Sequence, residues 1–208
     1  MMKTLVLFAA FAAAATAHEG CEHGEVITRA IVRLEGNGVT GNVTFTRQEN
    51  GKLRITGRVT GMPPGKYGFH VHEKGDLSLG CGSTLAHFNP DGNDHGHPED
   101  KNRHAGDLGN IVFDDSKVAN IDFEDSQVTL MGAHNIIGRG LVLHEKHDDY
   151  GKSDHPDSKK TGNAGGRVAC GVIGILDTVR VKSGGAKTAA ATSLLTLTAA
   201  AGLLITMR

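Results

Sequence analysis

Two histidines separated by a single residue, His70 and His72 in the run Gly68-Phe69-His70-Val71-His72-Glu73, are the side chains of this sequence best suited to chemistry. In an extended strand the side chains at i and i+2 leave the same face. The two imidazoles therefore converge on one point, and the occupant that suits converging ring nitrogens is a metal ion. More histidines follow at loop positions: His87, His95, and His104 with Asp107 three residues on; His144 closes a later apolar run. His95, His104 and Asp107, with His87, make a four-donor set of the kind that holds a zinc ion tetrahedrally. His70, His72, His87 and His144 make an all-imidazole set suited to a copper ion, the most tightly bound of the divalent series. His87 belongs to both, since one deprotonated ring has two nitrogens to offer. The remaining histidines, His18, His23, His97, His134, His147 and His155, read as solvated surface groups, with His97 beside His95 able to take metal adventitiously.

The elements that must position these donors are strands. Leu53, Ile55, Gly57 and Val59 alternate with polar neighbours, as do Val43 and Phe45, and short apolar runs recur at 30–34, 111–113, 127–131, 141–144 and 172–176. Each is bounded by Gly, Asn or Asp, and no sustained helical period interrupts them, which predicts an all-β sandwich or barrel. The 29 glycines among 208 residues suit many short strands and turns. Residues 73–108 and 145–168 show no strand pattern. Connections of that length are usually functional and need a staple, for which a metal ion and a disulfide are the obvious means. The three cysteines predict one disulfide and one thiol left over, without saying which.

Both ends read as processing segments. Residues 1–17 carry Lys3, an apolar stretch and Ala15-Thr16-Ala17, the order of a secretory signal peptide cut after Ala17. At the other end Ser183, Gly184 and Gly185 precede a short spacer and a weakly apolar tail, the order of a GPI-attachment signal with Ser183 or Gly184 as the attachment residue. The rival is a weak transmembrane helix over 188–207; a disordered tail would carry more charge. Either membrane reading tethers a domain of residues 18–183 outside the cell, at the outer face of the plasma membrane. The net charge of −1 and the lack of a basic stripe argue against nucleic acid as a partner.

Beyond the histidine pair, His87-Phe88-Asn89-Pro90, His104-Ala105-Gly106-Asp107-Leu108-Gly109-Asn110, Gly138-Arg139 and Asn163-Ala164-Gly165-Gly166-Arg167-Val168-Ala169-Cys170-Gly171-Val172-Ile173-Gly174 recur in an order and spacing that resemble the copper/zinc superoxide dismutases, over about residues 30–176. The resemblance implies an eight-stranded antiparallel Greek-key barrel, an immunoglobulin-like sandwich. It implies copper on His70, His72, His87 and His144, and zinc on His87, His95, His104 and Asp107. By position it also implies a disulfide between Cys81 and Cys170, a carboxylate at Asp148 linking His70 to His95, a guanidinium at the channel mouth from Arg167, and channel residues Lys160 and Thr161. The implied activity converts the superoxide anion to O2 and H2O2 by alternate reduction and reoxidation of copper. In it His87 is the bridging imidazolate that leaves copper, takes a proton and delivers it; Arg167 holds the anion and Lys160 steers it.

A metal-binding or copper-buffering protein on the same barrel, without turnover, is the alternative; it has no need of Arg167. The presence of His95, His104 and Asp107 argues against a copper-only variant, and the lack of a nearby carboxylate base against a zinc hydrolase. Two departures bear on association. Lys74 stands where dimeric relatives often carry a bulky apolar residue, and Asn42-Val43-Thr44 is a glycosylation sequon whose Asn42 should face outward from a strand. Both oppose apolar contact, so a monomer or weak homodimer is expected.

Overall fold

The structure is a computed structural model that describes residues 23–182. The signal-peptide segment, His18, Cys21 and the tail with Ser183 and Gly184 lie outside the described residues. Ten strands carry the fold: β1 (His23–Gly36), β2 (Val39–Arg47), β3 (Leu53–Thr60), β4 (Gly65–His72), β5 (Ser78–Cys81), β6 (Asp107–Phe113), β7 (Val118–Asp125), β8 (Gly140–His144), β9 (Arg167–Val172) and β10 (Gly174–Lys182). One short helix, α1 (Ser158–Thr161), lies in the second long connection.

Eight strands form one antiparallel ladder in the order β6-β4-β8-β9-β1-β2-β3-β7, and β10 adds to β1. β6 and β7 are joined by a turn at Asp114–Lys117, and the sheet wraps into a nearly closed barrel. Sequence neighbours β3 and β4 are not ladder neighbours; β3 pairs β7 and β4 pairs β8, the crossings of a Greek key. The core follows from period two. Val43 and Phe45 of β2, Ile55 and Val59 of β3, and Ala119 and Ile121 of β7 point inward and are buried, while Asn42, next to Val43, and Asn120, between Ala119 and Ile121, are exposed. Gly57 is required by contact: a Cβ there would lie 2.4 Å from the carbonyl oxygen of Asn42.

The structure corrects the strand reading in several places. Residues 127–131 are not a strand. Val128 and Leu130 are buried from a loop whose only bridge there joins Thr129 to Asn135, because Asp125 turns the chain by accepting the N–H groups of Gln127 and Val128. β7, which no apolar run marks, alternates with Ala119, Ile121 and Asp125 buried. The two long connections are shorter than expected: β5 and a 3-10 turn (Gly82–Thr84) interrupt the first, β6 begins at Asp107, α1 interrupts the second and β9 begins at Arg167.

On β4, Phe69 and Val71 enter the core, so His70 and His72 leave by the opposite face. That face is also buried: every residue from Gly68 to His72, and every residue of β8, is covered. The two long connections fold back over the outside of β4 and β8, and the histidines lie between them and the sheet.

Candidate metal centre

The ladder aligns the chemistry. His70 stands opposite Asp107 across the β4–β6 pair, next to a register shift. His144 stands opposite Arg167 across β8–β9, beside a second shift. An isolated bridge sets His72 against His87 from the first connection. β-bulges of this kind re-aim side chains at sites.

Two groups of donor atoms result, each with its atoms within 4.8 Å of one another: His70, His72, His87 and His144, and His87, His95, His104 and Asp107, all buried. The outward nitrogen of most rings is tied. His70 Nε2 is 2.9 Å from Asp148 Oδ2 and His95 Nε2 is 2.7 Å from Asp148 Oδ1. His72 Nδ1 is 2.7 Å from the Leu85 carbonyl and His144 Nδ1 is 3.2 Å from that of Gly165. A carbonyl only accepts, so these nitrogens carry the protons and the opposite ring nitrogens are left bare. Such outer partners fix ring tautomer and orientation.

The inward nitrogens fit cations. His70 Nδ1, His87 Nε2 and His95 Nδ1 are buried with no hydrogen-bond partner; His95 Nδ1 lies 3.0 Å from Asp107 Oδ1 without hydrogen-bond alignment. His72 Nε2 and His144 Nε2 face each other at 3.2 Å. Buried polar atoms left without partners are rare and costly, and here they converge. His87 sits between the groups, with Nδ1 2.9 Å from Asp107 Oδ1 and 3.4 Å from His104 Nδ1, and Nε2 left for the first group.

Charge follows burial. Desolvation, with His70 adding to it, lowers His87 to about 3, and desolvation beside His70 and His87 lowers His144 to about 2; His72 is lowered for the same reason. All three rings are neutral near pH 7, the state in which an imidazole binds metal. For His95 burial also lowers, but the two carboxylates beside the ring, Asp107 and Asp148, outweigh it and raise the ring to about 9. Burial would raise Asp107 and Asp148; their histidine partners win and hold both carboxyls well below the usual range.

Arg167 is half-buried beside the first group, which lowers its guanidinium from the usual value. Its Nη1 donates to the carbonyls of Cys81 (2.7 Å) and Gly82 (3.0 Å) and to Thr84 Oγ1 (3.0 Å), and its Nη2 to the carbonyl of Leu85. Cys81 is disulfide-bonded to Cys170, which staples the first connection to β9. With a sequence separation of 89, closure contributes about 4–5 kcal/mol in the chain-entropy model. Lys160 and Thr161 are exposed on α1 and make no hydrogen bond or ion pair to either group among the described residues. Asn42 is exposed between Arg33 and Arg58 of the flanking strands. Lys74 is exposed and paired with Glu73 at 3.0 Å. His134 and His97 are not plain solvated groups: His134 is tied to Asp91 and the Gln127 carbonyl, and His97 packs on Tyr150.

Three positions escaped the sequence reading. Arg103 is fully buried, bonded to the carbonyls of His104, Ala105 and Asp107 and ion-paired with Asp125. Asn110 clasps the Asp148 backbone, donating to its carbonyl and accepting its N–H. Gly162, with φ +63°, leaves the space Asp148 uses: a Cβ there would lie 1.9 Å from Asp148 Oδ1. A glycine after a basic helical turn is a helix-stop signal that points to Gly162; single loop residues such as Arg103 and Asn110 carry no periodic signal.

A model of the family described as copper/zinc superoxide dismutase matches residues 39–173. Among solved structures, the crystal structure of the clock protein EA4 is 65% identical to this chain, with a TM-score of 0.71, covering 72% of this chain and 96% of that one.

Proposed function

The chain belongs to the copper/zinc superoxide dismutase family, and on that footing we propose that it converts superoxide to O2 and H2O2, with His70, His72, His87 and His144 holding copper and His87, His95, His104 and Asp107 holding zinc. The observation that supports this most is the His87 ring, one nitrogen in each group of donors, the partnerless one toward the all-histidine group. Copper there supplies the one-electron couple that the reaction needs and zinc lacks. The residues do the rest. Arg167 is held by four acceptors on one loop, beside the first group, where its charge attracts a small anion and its N–H groups hydrogen-bond it. His87 Nε2 takes up a proton and returns it to the reduced product, so that two superoxide ions and two protons leave as O2 and H2O2. Asp148 ties His70 and His95, the Leu85 and Gly165 carbonyls tie His72 and His144, and Asp107 holds His87 by Nδ1, which leaves its Nε2 for that exchange. Lys160, exposed on α1, adds long-range attraction that salt weakens.

Metal binding without turnover is the competing reading, and the chain's likeness to a protein named for a clock keeps it in view. The anchoring of Arg167 favours turnover, since a metal store has no use for a held cation beside the all-histidine group. The N-terminal signal pattern supports an extracellular location, the tail a lipid tether, and exposed Asn42 and Lys74 a monomer or weak homodimer. The test is metal content with superoxide removal by the secreted protein, before and after chelation. Copper and zinc in equal amounts with activity lost on chelation is the expected result; full metal content with no activity would refute turnover.

A further inference from the structure

We propose that Leu85 is a positioning residue, and that its backbone carbonyl, held in a conformation suited to glycine, sets the His72 ring and the Arg167 guanidinium together. Leu85 has φ +59° and ψ −145°. That combination belongs to the region that only glycine enters without strain. The leucine side chain gains little in exchange, being 49% exposed. The strain is therefore imposed from the backbone, and the backbone contacts show by what. The Leu85 N–H reaches the Gly82 carbonyl and closes the turn. The Leu85 carbonyl accepts from His72 Nδ1 at 2.7 Å and from Arg167 Nη2. A carbonyl has two lone pairs, and both are used here. Relaxed to negative φ, the peptide would turn this oxygen away from both donors.

The arrangement makes one oxygen the common stop for two groups with different tasks. On one side it fixes the proton of His72 on Nδ1 and turns Nε2 inward. On the other it completes the set of acceptors that keeps Arg167 beside the same pocket. Cys81, whose carbonyl also receives Arg167, is tied to Cys170 three residues along β9 from Arg167. The turn is thus pinned at both ends and has little freedom to relax. The bearing of this contact on turnover rests on the superoxide reading; the contact itself does not.

The test changes the oxygen and spares the side chains. Ala86 N–H donates to no group among the described residues. Replacing Ala86 by its α-hydroxy counterpart, in full-length chain made by cell-free translation, converts the Leu85–Ala86 amide into an ester. This weakens the Leu85 carbonyl as an acceptor and removes only that idle N–H. With zinc and diamagnetic Cu+ loaded, the His72 Nδ1–H and the Arg167 guanidinium are followed by NMR. The ester is expected to speed exchange of the His72 proton with water about tenfold and to free the guanidinium rotation. Leu85→Gly, which keeps the carbonyl and accepts the backbone angles, is expected to hold the proton as long as the parent does. Parent-like exchange and rotation in the ester would overturn the proposal, and so would loss of protection in Leu85→Gly. Metal content of the parent sample tests the copper and zinc reading separately. A parent that takes up neither metal refutes that reading, and the same His72 proton is then followed in the metal-free protein.

Discussion

Cutting the ion pair between Arg103 and Asp125 should loosen the second group of donors from behind. Arg103 is 0% exposed and Asp125 3% exposed. Arg103 Nη1 lies 3.2, 3.3 and 3.0 Å from the carbonyl oxygens of His104, Ala105 and Asp107, so the guanidinium gathers the backbone that presents two of the proposed zinc ligands. Asp125 Oδ1 in turn accepts from Gln127 N at 2.8 Å and Val128 N at 2.9 Å. Asp125→Ala leaves the guanidinium buried without its counter-charge and two N–H groups without an acceptor. Breaking a buried pair in this way costs about 3–5 kcal/mol. For a domain of this size that lowers Tm by roughly 6–20 °C.

The double variant Arg103→Met/Asp125→Leu removes both charges, and apolar replacement of a buried pair is often close to neutral. It should therefore lose less stability than Asp125→Ala alone, despite carrying two changes. Urea unfolding of the disulfide-intact, metal-free protein, with Arg103→Met and Asp125→Leu added as the single variants, closes the cycle. Arg103→Met should also raise the dissociation constant for zinc more than that for copper, because the carbonyls it releases belong to the zinc side. A loss under about 1 kcal/mol in Asp125→Ala, or a double variant weaker than both single ones, would refute the reasoning.

Other outcomes follow from the same geometry. Arg167→Glu should keep both metals by elemental analysis yet slow superoxide removal by roughly 10–1000-fold at low salt, since it reverses the charge an anion meets. His87→Ala should abolish magnetic coupling between the two sites, read by electron paramagnetic resonance with cobalt in place of zinc, and weaken copper retention on dialysis. Gly162→Ala should cost about 2–4 kcal/mol in urea unfolding, because its Cβ overlaps Asp148 Oδ1 and its backbone has φ +63°. In the metal-free protein, His87 at about 3 and His144 at about 2 are neutral when folded, so their contribution is complete above the unfolded value near 6.5 and is lost as pH falls below it. His95, raised to about 9, contributes fully below 6.5 and loses it as pH climbs toward 9. Thermal unfolding of the metal-free protein should therefore be most resistant near pH 6–7, with both flanks flattened once zinc and copper are bound.

What was legible in the sequence depended on whether a residue's partners lie in a regular element. His70 and His72 could be paired from spacing alone because a strand puts i and i+2 on one face, and the structure has both on the outer face of β4. Val43, Phe45, Ile55 and Val59 marked the core for the same reason. The run at 127–131 misled because its buried Val128 and Leu130 mimic alternation while a capping carboxylate, Asp125, bends the backbone. His87, His95 and His104 in the connections had no period to place them and were grouped by donor chemistry alone; Asp148, the carboxylate behind His70 and His95, came only from the resemblance. Arg103 and Leu85, which neither route supplied, were missed.

The same contrast explains why the site is built as it is. Sheet register is discrete, so Asp107 opposite His70 and Arg167 opposite His144 are fixed by a ladder that cannot slip without turning the core outward. The connections have no such constraint and are held instead by side-chain ties: Asp148 between His70 and His95, Arg103 behind His104 and Asp107, Arg167 and Cys81 on the turn that carries Leu85. Each tie joins a loop to a strand or to another loop, and each has its partner in the layer just outside the donors. Bound ions would then be one fastener among several. Chelation should loosen the connections while β1, β2, β3 and β7, which contribute no donor, keep their hydrogen bonds.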